Sequence, residues 1–292
     1  MATFTNQAQV SFNGIVRSSN ITVGEIVETL TMTKTAVSDT YTLGSDVTYI
    51  INIVNTGGAS FIDLTLTDDL GETESGGIKV NPLSYNVGSV RYFLNGTLQS
   101  APQITSEQPL TITGISVPAG GNTTIVYEAT ITNFAPLGTD GAITNSVNLT
   151  DTASGRQTAC PQSVDLTATA TITPATEPDL TISKSLSPTT VPENGRITYT
   201  FVIANYGNTA ADAADNVIVT DIFLPVLQGL TAELDGTALA LGTDYTYDTA
   251  TGAFATVAGI ISVPAATFSS DPATGAVTTT PGTVTLTVTG NI

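Results

Sequence analysis

The sequence contains no histidine and no tryptophan, and Cys160 is its single cysteine in 292 residues. Without histidine the commonest general acid and base is missing, and no serine or cysteine nucleophile stands beside a base, so a turnover enzyme is not expected. A lone cysteine excludes an internal disulfide. Any covalent bond that stabilises the fold must therefore use other side chains.

Basic residues are also scarce, because seven lysines and arginines face 25 aspartates and glutamates, for a net charge of −18. This charge repels phosphate backbones and anionic lipids, so the chain is not expected to bind nucleic acid or insert into a membrane. No apolar run is long enough to span a bilayer, and residues 1–4 lack the basic start of a secretion signal. The acidic turns are typical of solvated loops, so we predict no metal site and no cofactor.

Threonine and valine are abundant, and apolar residues alternate with small polar ones for long stretches. This period of two is that of half-buried strands, and turn signals such as Asn95-Gly96 separate the runs. We therefore predict an all-β chain of two tandem Ig-like antiparallel β-sandwich domains and an N-terminal donor-strand segment. The predicted boundaries are 1–29 for the donor segment, 30–173 for the first sandwich, 174–179 for a linker and 180–292 for the second sandwich.

An internal repeat underlies this division, since residues 30–70 align with residues 180–223. Residues 30–34 correspond to residues 180–184, and Asn55-Thr56-Gly57 corresponds to Asn205-Tyr206-Gly207. A repeat of this length predicts two domains of one fold. The second copy has no counterpart of residues 143–149 or of the strand that ends at Ile172, so we expect it to lack its closing strands.

The N-terminal segment carries a pattern like the missing strands, because residues 4–10 read FTNQAQV where residues 143–149 read ITNSVNL. A sandwich without its last strands exposes an unpaired edge beside an apolar groove, which is a template for an added strand. Alternation puts Phe4, Asn6, Ala8, Val10 and Phe12 on one face of an extended strand. We therefore predict that Phe4, Ala8, Val10 and Phe12 fill such a groove.

The same chain could fill its own groove only if the two sandwiches lay side by side, because Val27 joins the first strand at Leu30 almost directly. If the sandwiches lie end to end, the segment reaches another molecule, and this open head-to-tail contact generates a fibre. The simpler alternative is that residues 1–29 form a frayed tail or an extra strand of the first sandwich.

Alternation also places polar residues on the predicted core faces. In the first sandwich these are Lys34, Asp68 and Asn145, and in the second they are Lys184 and Asp221, with Asn6 of another molecule in the place of Asn145. A buried lysine loses its proton easily, and its neutral amine is a nucleophile. Beside a carboxyl group it would attack the asparagine amide and form an isopeptide bond as ammonia leaves. The alternative is that each lysine forms a salt bridge with its aspartate, or snorkels to solvent, while the asparagine bonds to backbone.

Three patterns recur in the chain: the runs at 47–57 and 197–207, the strings Leu66-Thr67-Asp68 and Val219-Thr220-Asp221, and Ile143-Thr144-Asn145. Together they resemble the conserved repeat domain of uncharacterised function that occurs in tandem in bacterial surface proteins. Residues 2–8 and the two-repeat length look more like the short Firmicute members, including clostridial endospore appendage subunits. The resemblance implies a spore-surface or extracellular appendage, which is consistent with a chain that shows no classical signal peptide.

The sequence thus predicts a structural subunit of a self-assembling fibre, whose partner is a second copy of itself and whose surface or anchoring partner is unknown. The alternative is a monomeric, surface-displayed adhesive or ligand-binding module, with loops such as 71–79 or 210–215 contacting the ligand.

Overall fold

A computed structural model describes residues 2–26, 29–151 and 164–292, so Cys160 lies outside the described residues. The described chain consists of strands and one short 3-10 helix, Ala213–Asp215. The predicted all-β fold, built from sandwiches, is confirmed. Within these ranges no helix has the length and hydropathy of a membrane span.

The N-terminal hairpin is one long two-stranded ribbon. It contains β1 (Ala2–Asn6), β2 (Gln9–Phe12), β3 (Ile15–Ser18) and β4 (Thr22–Ile26). β1 pairs with β4, and β2 pairs with β3. The turn that connects β2 to β3 is Asn13-Gly14, with φ values of 47° and 76°. Positive φ at both positions is what a tight hairpin turn requires, and Asn-Gly adopts it readily. Residues 4–23 are all exposed, so the hairpin projects from the rest of the chain.

The first sandwich contains two facing sheets. Its strands are β5 (Leu30–Ala36), β6 (Thr40–Tyr41), β7 (Asp46–Asn55), β8 (Phe61–Asp68), β9 (Thr73–Ser75), β10 (Ile78–Val80), β11 (Leu83–Tyr85), β12 (Arg91–Leu94), β13 (Thr97–Gln99), β14 (Gln103–Glu107), β15 (Leu110–Val117), β16 (Asn122–Ile131), β17 (Ile143–Asp151) and β18 (Asp165–Pro174). One sheet has the order β13-β12-β16-β7-β5, with β11 also on β16, and the other has the order β14-β15-β8-β17-β18-β6. Alternate residues of β7 and β17 are buried between them, as the period predicted.

The last strand of the first sandwich runs parallel to the first part of the chain. β18 pairs with β6 in parallel register, Thr173 opposite Thr40 and Pro174 opposite Tyr41, and it lies against β5. The chain therefore enters the sandwich at Leu30 and leaves it at the opposite end.

The second sandwich has a separate hydrophobic core. Its strands are β19 (Leu180–Ser187), β20 (Arg196–Asn205), β21 (Thr220–Ile222), β22 (Gln228–Leu234), β23 (Thr237–Ala238), β24 (Tyr245–Tyr247), β25 (Ala253–Thr256), β26 (Thr267–Ser270), β27 (Val277–Thr280) and β28 (Gly282–Asn291). One sheet has the order β19-β20-β28-β22-β23, the other has only β21-β25-β24, and β26 and β27 form a separate hairpin.

The two sandwiches correspond in the strands that carry the lysine and the aspartate. β19 and β20 pair as β5 and β7 do, and Asp221 of β21 stands opposite Phe254 of β25 as Asp68 of β8 stands opposite Leu110 of β15. However, β8 has β17 on its other side, whereas β21 is the outer strand of its sheet. In the described residues no strand takes the positions of β17 and β18 in the second sandwich.

Candidate functional site

The first sandwich brings its three predicted polar residues into one buried cluster. The Lys34 Nζ and the Asp68 Oδ2 are 2.7 Å apart, and neither side chain is exposed. Asn145 is also fully buried, and its Nδ2 donates to the hydroxyl oxygen of Tyr127 at 2.9 Å. The Tyr127 hydroxyl in turn donates to the Asp68 Oδ2 at 2.7 Å. A continuous chain of hydrogen bonds therefore joins Lys34 to Asn145.

Strand register explains why these residues meet. Val147 of β17 stands opposite Asp68 of β8, so Asn145, two residues earlier on the same face, lies diagonally beside the carboxyl group. Lys34 reaches the carboxyl group across the sandwich from β5, with its Nζ 4.9 Å from the centre of the Tyr49 ring. The backbone N–H of Leu70 donates to the other oxygen, Asp68 Oδ1, at 3.1 Å.

Burial moves the cluster toward its uncharged forms. Desolvation lowers the pKa of Lys34 although Asp68 acts in the opposite direction, and desolvation raises the pKa of Asp68 although Lys34 opposes it. Burial also raises the pKa of Tyr127 well above its ordinary value, so this hydroxyl keeps its proton. A neutral amine beside a protonated carboxyl group is the state that nucleophilic attack on an amide needs.

The asparagine in this cluster is incompletely bonded. The Asn145 Oδ1 and the Tyr49 hydroxyl are buried without a hydrogen-bond partner. The arrangement contains the lysine-aspartate ion pair of the simpler alternative, but the Asn145 Nδ2 bonds to Tyr127 and not to backbone. An unpaired buried carbonyl is rare in proteins, and here it belongs to the amide that the predicted reaction would consume.

The second sandwich holds an open version of the same pair. The Lys184 Nζ donates to the Asp221 Oδ2, and it lies 4.6 Å from the centre of the Tyr199 ring and 5.4 Å from that of Phe223. Here 41% of the lysine side chain and 18% of the aspartate side chain are exposed. Val288 stands opposite Tyr199 where Tyr127 stands opposite Tyr49, so this pair has no counterpart of the Tyr127 hydroxyl.

The exposure extends along all of β19, whose eight residues are all exposed. Leu30 in the first sandwich is 6% exposed, but its counterpart Leu180 is 37% exposed and Ile182 is 56% exposed. In the first sandwich β18 lies against β5, and no described strand lies in the corresponding place on β19. We call the surface formed by Leu180, Ile182, Lys184 and Leu186 of β19 and Asp221 of β21 the docking groove.

An open cleft continues the docking groove along β21. Its volume is about 560 Å³, and Asp221, Ile222, Tyr247 and Phe254 are among the residues that line it. Ile222 is 63% exposed although it is large and apolar. Among the described residues no strand pairs with the outer edge of β21, although the Ile222 N–H donates to the Asp221 Oδ1 at 2.8 Å. An open edge beside apolar side chains favours the addition of a strand.

The predicted groove-filling residues lie on the N-terminal hairpin. Phe4, Val10 and Phe12 are all more than half exposed, and Asn6 and Ala8 are exposed as well. Phe4 stands opposite Gly24, and a Cβ added to that glycine would lie 2.3 Å from the ring, so the ring covers the glycine. Since both the hairpin and the docking groove are exposed, the chain does not complete its own second sandwich in this structure.

Tyr127 is a member of the site that sequence reasoning missed. The repeat gives no signal for it, because its counterpart is Val288. Its position in the alternating pattern was the one available signal, since Ile125, Tyr127 and Ala129 are alternate residues of β16 on the buried face.

No protein family matches the sequence of the chain, and no curated protein matches it. Several solved structures are similar in fold. The major pilin subunit BcpA of Bacillus cereus is 10% identical, with 96% of this chain and 73% of the pilin covered and a TM-score of 0.37. The pilus backbone RrgB from Streptococcus pneumoniae is 14% identical over 86% of this chain and 56% of its own, with a TM-score of 0.35.

The collagen adhesin CNA from S. aureus is 16% identical over 53% of this chain and 55% of its own, with a TM-score of 0.29. The chain thus spans only about half of this adhesin and of the pneumococcal pilus backbone. Enzymes are also found among the similar structures. At these scores the likeness carries no conclusion about function, and the absence of enzyme activity stays a prediction.

Proposed function

We propose that the chain is the subunit of a homopolymeric fibre, in which the N-terminal hairpin of one copy occupies the docking groove of the next. One observation carries the proposal. The inward face that β17 and β18 cover in the first sandwich is open in the second, and an exposed hairpin of the same chain repeats the residue pattern of β17.

The hairpin has the side-chain sizes that the groove requires. In the first sandwich, Ile143 of β17 stands opposite Ile172 of β18, and both are buried. In the hairpin the corresponding pair is Phe4 and Gly24, in which one large ring covers a residue without a side chain. The Phe4 ring extends over the place of the second side chain, so it fills part of the layer that two isoleucines fill in the first sandwich.

The opposite face of the hairpin suits an outer surface. Thr144 and Thr171 form an exposed pair next to Asn145 in the first sandwich. The hairpin has Thr5 opposite Val23 at this place. The two faces of the hairpin are therefore distinguishable by substitution, one facing the groove and one facing solvent.

The second part of the proposal is covalent. The neutral Lys34 Nζ attacks the Asn145 Cγ, an N–C bond forms, the bond from Cγ to Nδ2 breaks, and the proton that the amine loses leaves on ammonia. Asp68 relays this proton while it polarises the amide. Between subunits Lys184, Asp221 and Asn6 of the next copy have the same roles.

Assembly would control the second bond. The Lys184 side chain is 41% exposed until a hairpin covers it. Entry of the hairpin would exclude water from the pair and deliver the Asn6 amide in the same step. The bond between subunits would therefore form only after docking.

The test of docking uses two full-length variants, each of which blocks one side of the contact. Phe4→Asp with Val10→Asp places charges on the groove-facing side of the hairpin, and Ile182→Asp places one in the groove. Each variant alone is expected to be a monomer by light scattering. An equal mixture is expected to give dimers and no longer species, because one working hairpin and one working groove remain. Wild type is expected to form filaments in negative-stain electron microscopy.

Matched controls lie on the opposite faces of the hairpin and of β19. Val23→Asp on the hairpin and Ser183→Asp on β19 are expected to keep the filaments, since both positions face solvent in the proposed contact. A mixture of the two blocked variants that stays monomeric contradicts the proposal. So does a wild-type protein that stays monomeric at every concentration, and the surface-displayed binding module is then the better reading.

The covalent step is tested by mass and by detergent. Bond formation in the first sandwich lowers the mass of the intact chain by one ammonia, about 17 Da, and Asn145→Ala removes this loss. Fibres of wild type are expected to survive boiling in detergent, while fibres of Asn6→Ala assemble but dissociate. The controls are Asn148→Ala, on the same strand as Asn145, and Gln9→Ala, on the strand of the hairpin that follows Asn6. A wild-type chain of full mass, whose fibres dissociate on boiling, contradicts both bonds and leaves docking unaffected.

The location of the fibre on the spore surface or outside the cell is part of the proposal, and the sequence resemblance supports it. Immunogold labelling of spores and cells is the direct measurement. Label confined to the interior of vegetative cells would contradict this location.

A further inference from the structure

The two sandwiches differ at the turn that precedes their central strand. In the first sandwich residues 118–121 form a tight turn into β16. In the second, the β26–β27 hairpin is inserted between Pro264 and Gly282, at the equivalent turn into β28. This insertion belongs to the second sandwich alone.

The inserted hairpin contacts the first sandwich. The backbone N–H of Val277 in β27 donates to the carbonyl oxygen of Asn133 at 2.7 Å. At the hairpin tip, a Cβ added to Gly275 would lie 2.6 Å from a methyl group of Val80 and 3.5 Å from Ser75, so the tip rests on the first sandwich. The β26–β27 hairpin is therefore a brace across the junction.

Asn208 makes a second contact across the same junction. Its Nδ2 donates to the carbonyl oxygen of Leu137 at 3.1 Å and to that of Ala175 at 2.8 Å. By the repeat, the counterpart of Asn208 is Gly58, which has no side chain and nothing within 4 Å of where a Cβ would be. The first sandwich thus carries neither of the two contacts.

Both sandwiches share one backbone hydrogen bond at the point where the chain enters them. The N–H of Tyr206 bonds to the carbonyl oxygen of Asp179, and the N–H of Thr56 bonds to that of Thr29, at the equivalent place. In the fibre the hairpin of one copy leads into its own first sandwich as β18 leads into the second. The backbone connection would therefore repeat at every junction, while the brace would not.

We infer that the junction inside a subunit is braced and that the junction between subunits is not, so that the fibre bends at every second junction. The inference rests on the proposed function for the junction between subunits. The braced junction lies within one chain, so that part of the inference does not depend on polymerisation. Among the described residues, the surface around Gly58 and the turn at 118–121 carries no counterpart of the brace or of the Asn208 contact.

Cryo-electron microscopy of filaments tests the alternation directly. We expect the angle between successive sandwiches to be narrowly distributed inside a subunit and at least twice as widely distributed between subunits. Equal distributions at the two kinds of junction would overturn the inference.

A full-length monomer tests the braced junction separately. In the Phe4→Asp, Val10→Asp chain, the Val277 amide is expected to exchange its hydrogen slowly, and small-angle scattering is expected to fit one rigid arrangement. Adding Asn208→Gly, or replacing residues 266–281 with two glycines, should widen the scattering distribution, while Asn216→Gly, at an exposed turn, should not.

Fast exchange at Val277, or no change with either variant, contradicts the brace whether or not fibres form. Conversely, if filaments never form, the proposed function fails, and the monomer measurements still decide the braced junction.

Discussion

The two sandwiches place the same lysine and aspartate in different surroundings. Lys34 and Asp68 are sealed beneath β17 and β18, while Lys184 and Asp221 lie at an open groove. The residue types and strand register are equivalent, so the difference arises from the two covering strands. The covering strands, and not the pair itself, decide whether the lysine is removed from water.

This difference also explains how an incomplete sandwich can remain folded. A buried ion pair needs well-placed partners to offset its desolvation, which in the first sandwich come from Tyr127 and Leu70. The open pair in the second sandwich keeps access to water, and Lys184 rests on the Tyr199 ring. In the second sandwich, access to water thus offsets the desolvation that Tyr127 and Leu70 offset in the first.

The largest effect is expected from Lys34→Met, which leaves the Asp68 carboxyl group buried without its cation. Removal of one partner from a buried pair costs about 3–5 kcal/mol, so the first sandwich should unfold at markedly lower denaturant. Hydrogen exchange along β7 and β17 is the measurement. Lys79→Met, which breaks an exposed pair with Glu72, is the control and should leave the denaturant midpoint almost unchanged.

The cost of Lys34→Met should also depend on pH. Lys34 lowers the pKa of Asp68, so its removal raises that pKa further above the value in the unfolded chain. A raised pKa means that the folded state holds the proton more tightly, and the stability this gives is lost as pH rises through the folded pKa. The variant should therefore be closest to wild type near pH 4 and weakest near pH 8. A difference that grows toward acid would contradict this assignment.

A smaller effect is expected from Tyr127→Phe, which makes this site resemble the second sandwich with its Val288. The variant loses the hydrogen bond to Asp68 and leaves the Asn145 Nδ2 unpaired, at a cost of about 1–3 kcal/mol. Tyr49→Phe is the matched control, because the Tyr49 hydroxyl is buried without a partner and its loss should be neutral or stabilising. Equal costs for the two variants in chemical denaturation would show that the chain of hydrogen bonds is not what stabilises the cluster.

The smallest effect is expected from Lys184→Met in the assembly-blocked chain. Because 41% of this lysine side chain is exposed, its loss should cost under about 1 kcal/mol in the monomer. In the fibre the same substitution should lower the denaturant midpoint of dissociation well beyond that, since the hairpin then covers the pair. A Lys184→Met monomer as unstable as Lys34→Met would break the comparison between the two sandwiches.

Part of this site was predictable because strand alternation is local. The phases of Lys34, Asp68 and Asn145 along their own strands indicate the inward face, and the structure brings the three together. Tyr127 could not be assigned a role in the same way, since its bonds to Asp68 and Asn145 run between the two sheets and depend on how these stack.

The insertion between Pro264 and Gly282 and its contact with the first sandwich were not predicted from the sequence. Contacts between domains depend on the angle at the linker, which no pattern in the sequence encodes. The cover of Gly24 by Phe4 was equally hidden, because it follows from the register of the hairpin and not from either residue alone.

The parallel run of β18 beside β5 and β6 determines how a fibre of this kind would carry load. The chain enters a sandwich at one end and leaves it at the other, so tension on the fibre would pull the donated hairpin and β19 past each other along their length. In such shear the contacts along both strands share the force and must fail together, whereas a crosswise pull would open them one at a time. The rate at which the fibre ruptures would then be the rate at which the joint unfolds, so the fibre would resist tension even without a covalent bond.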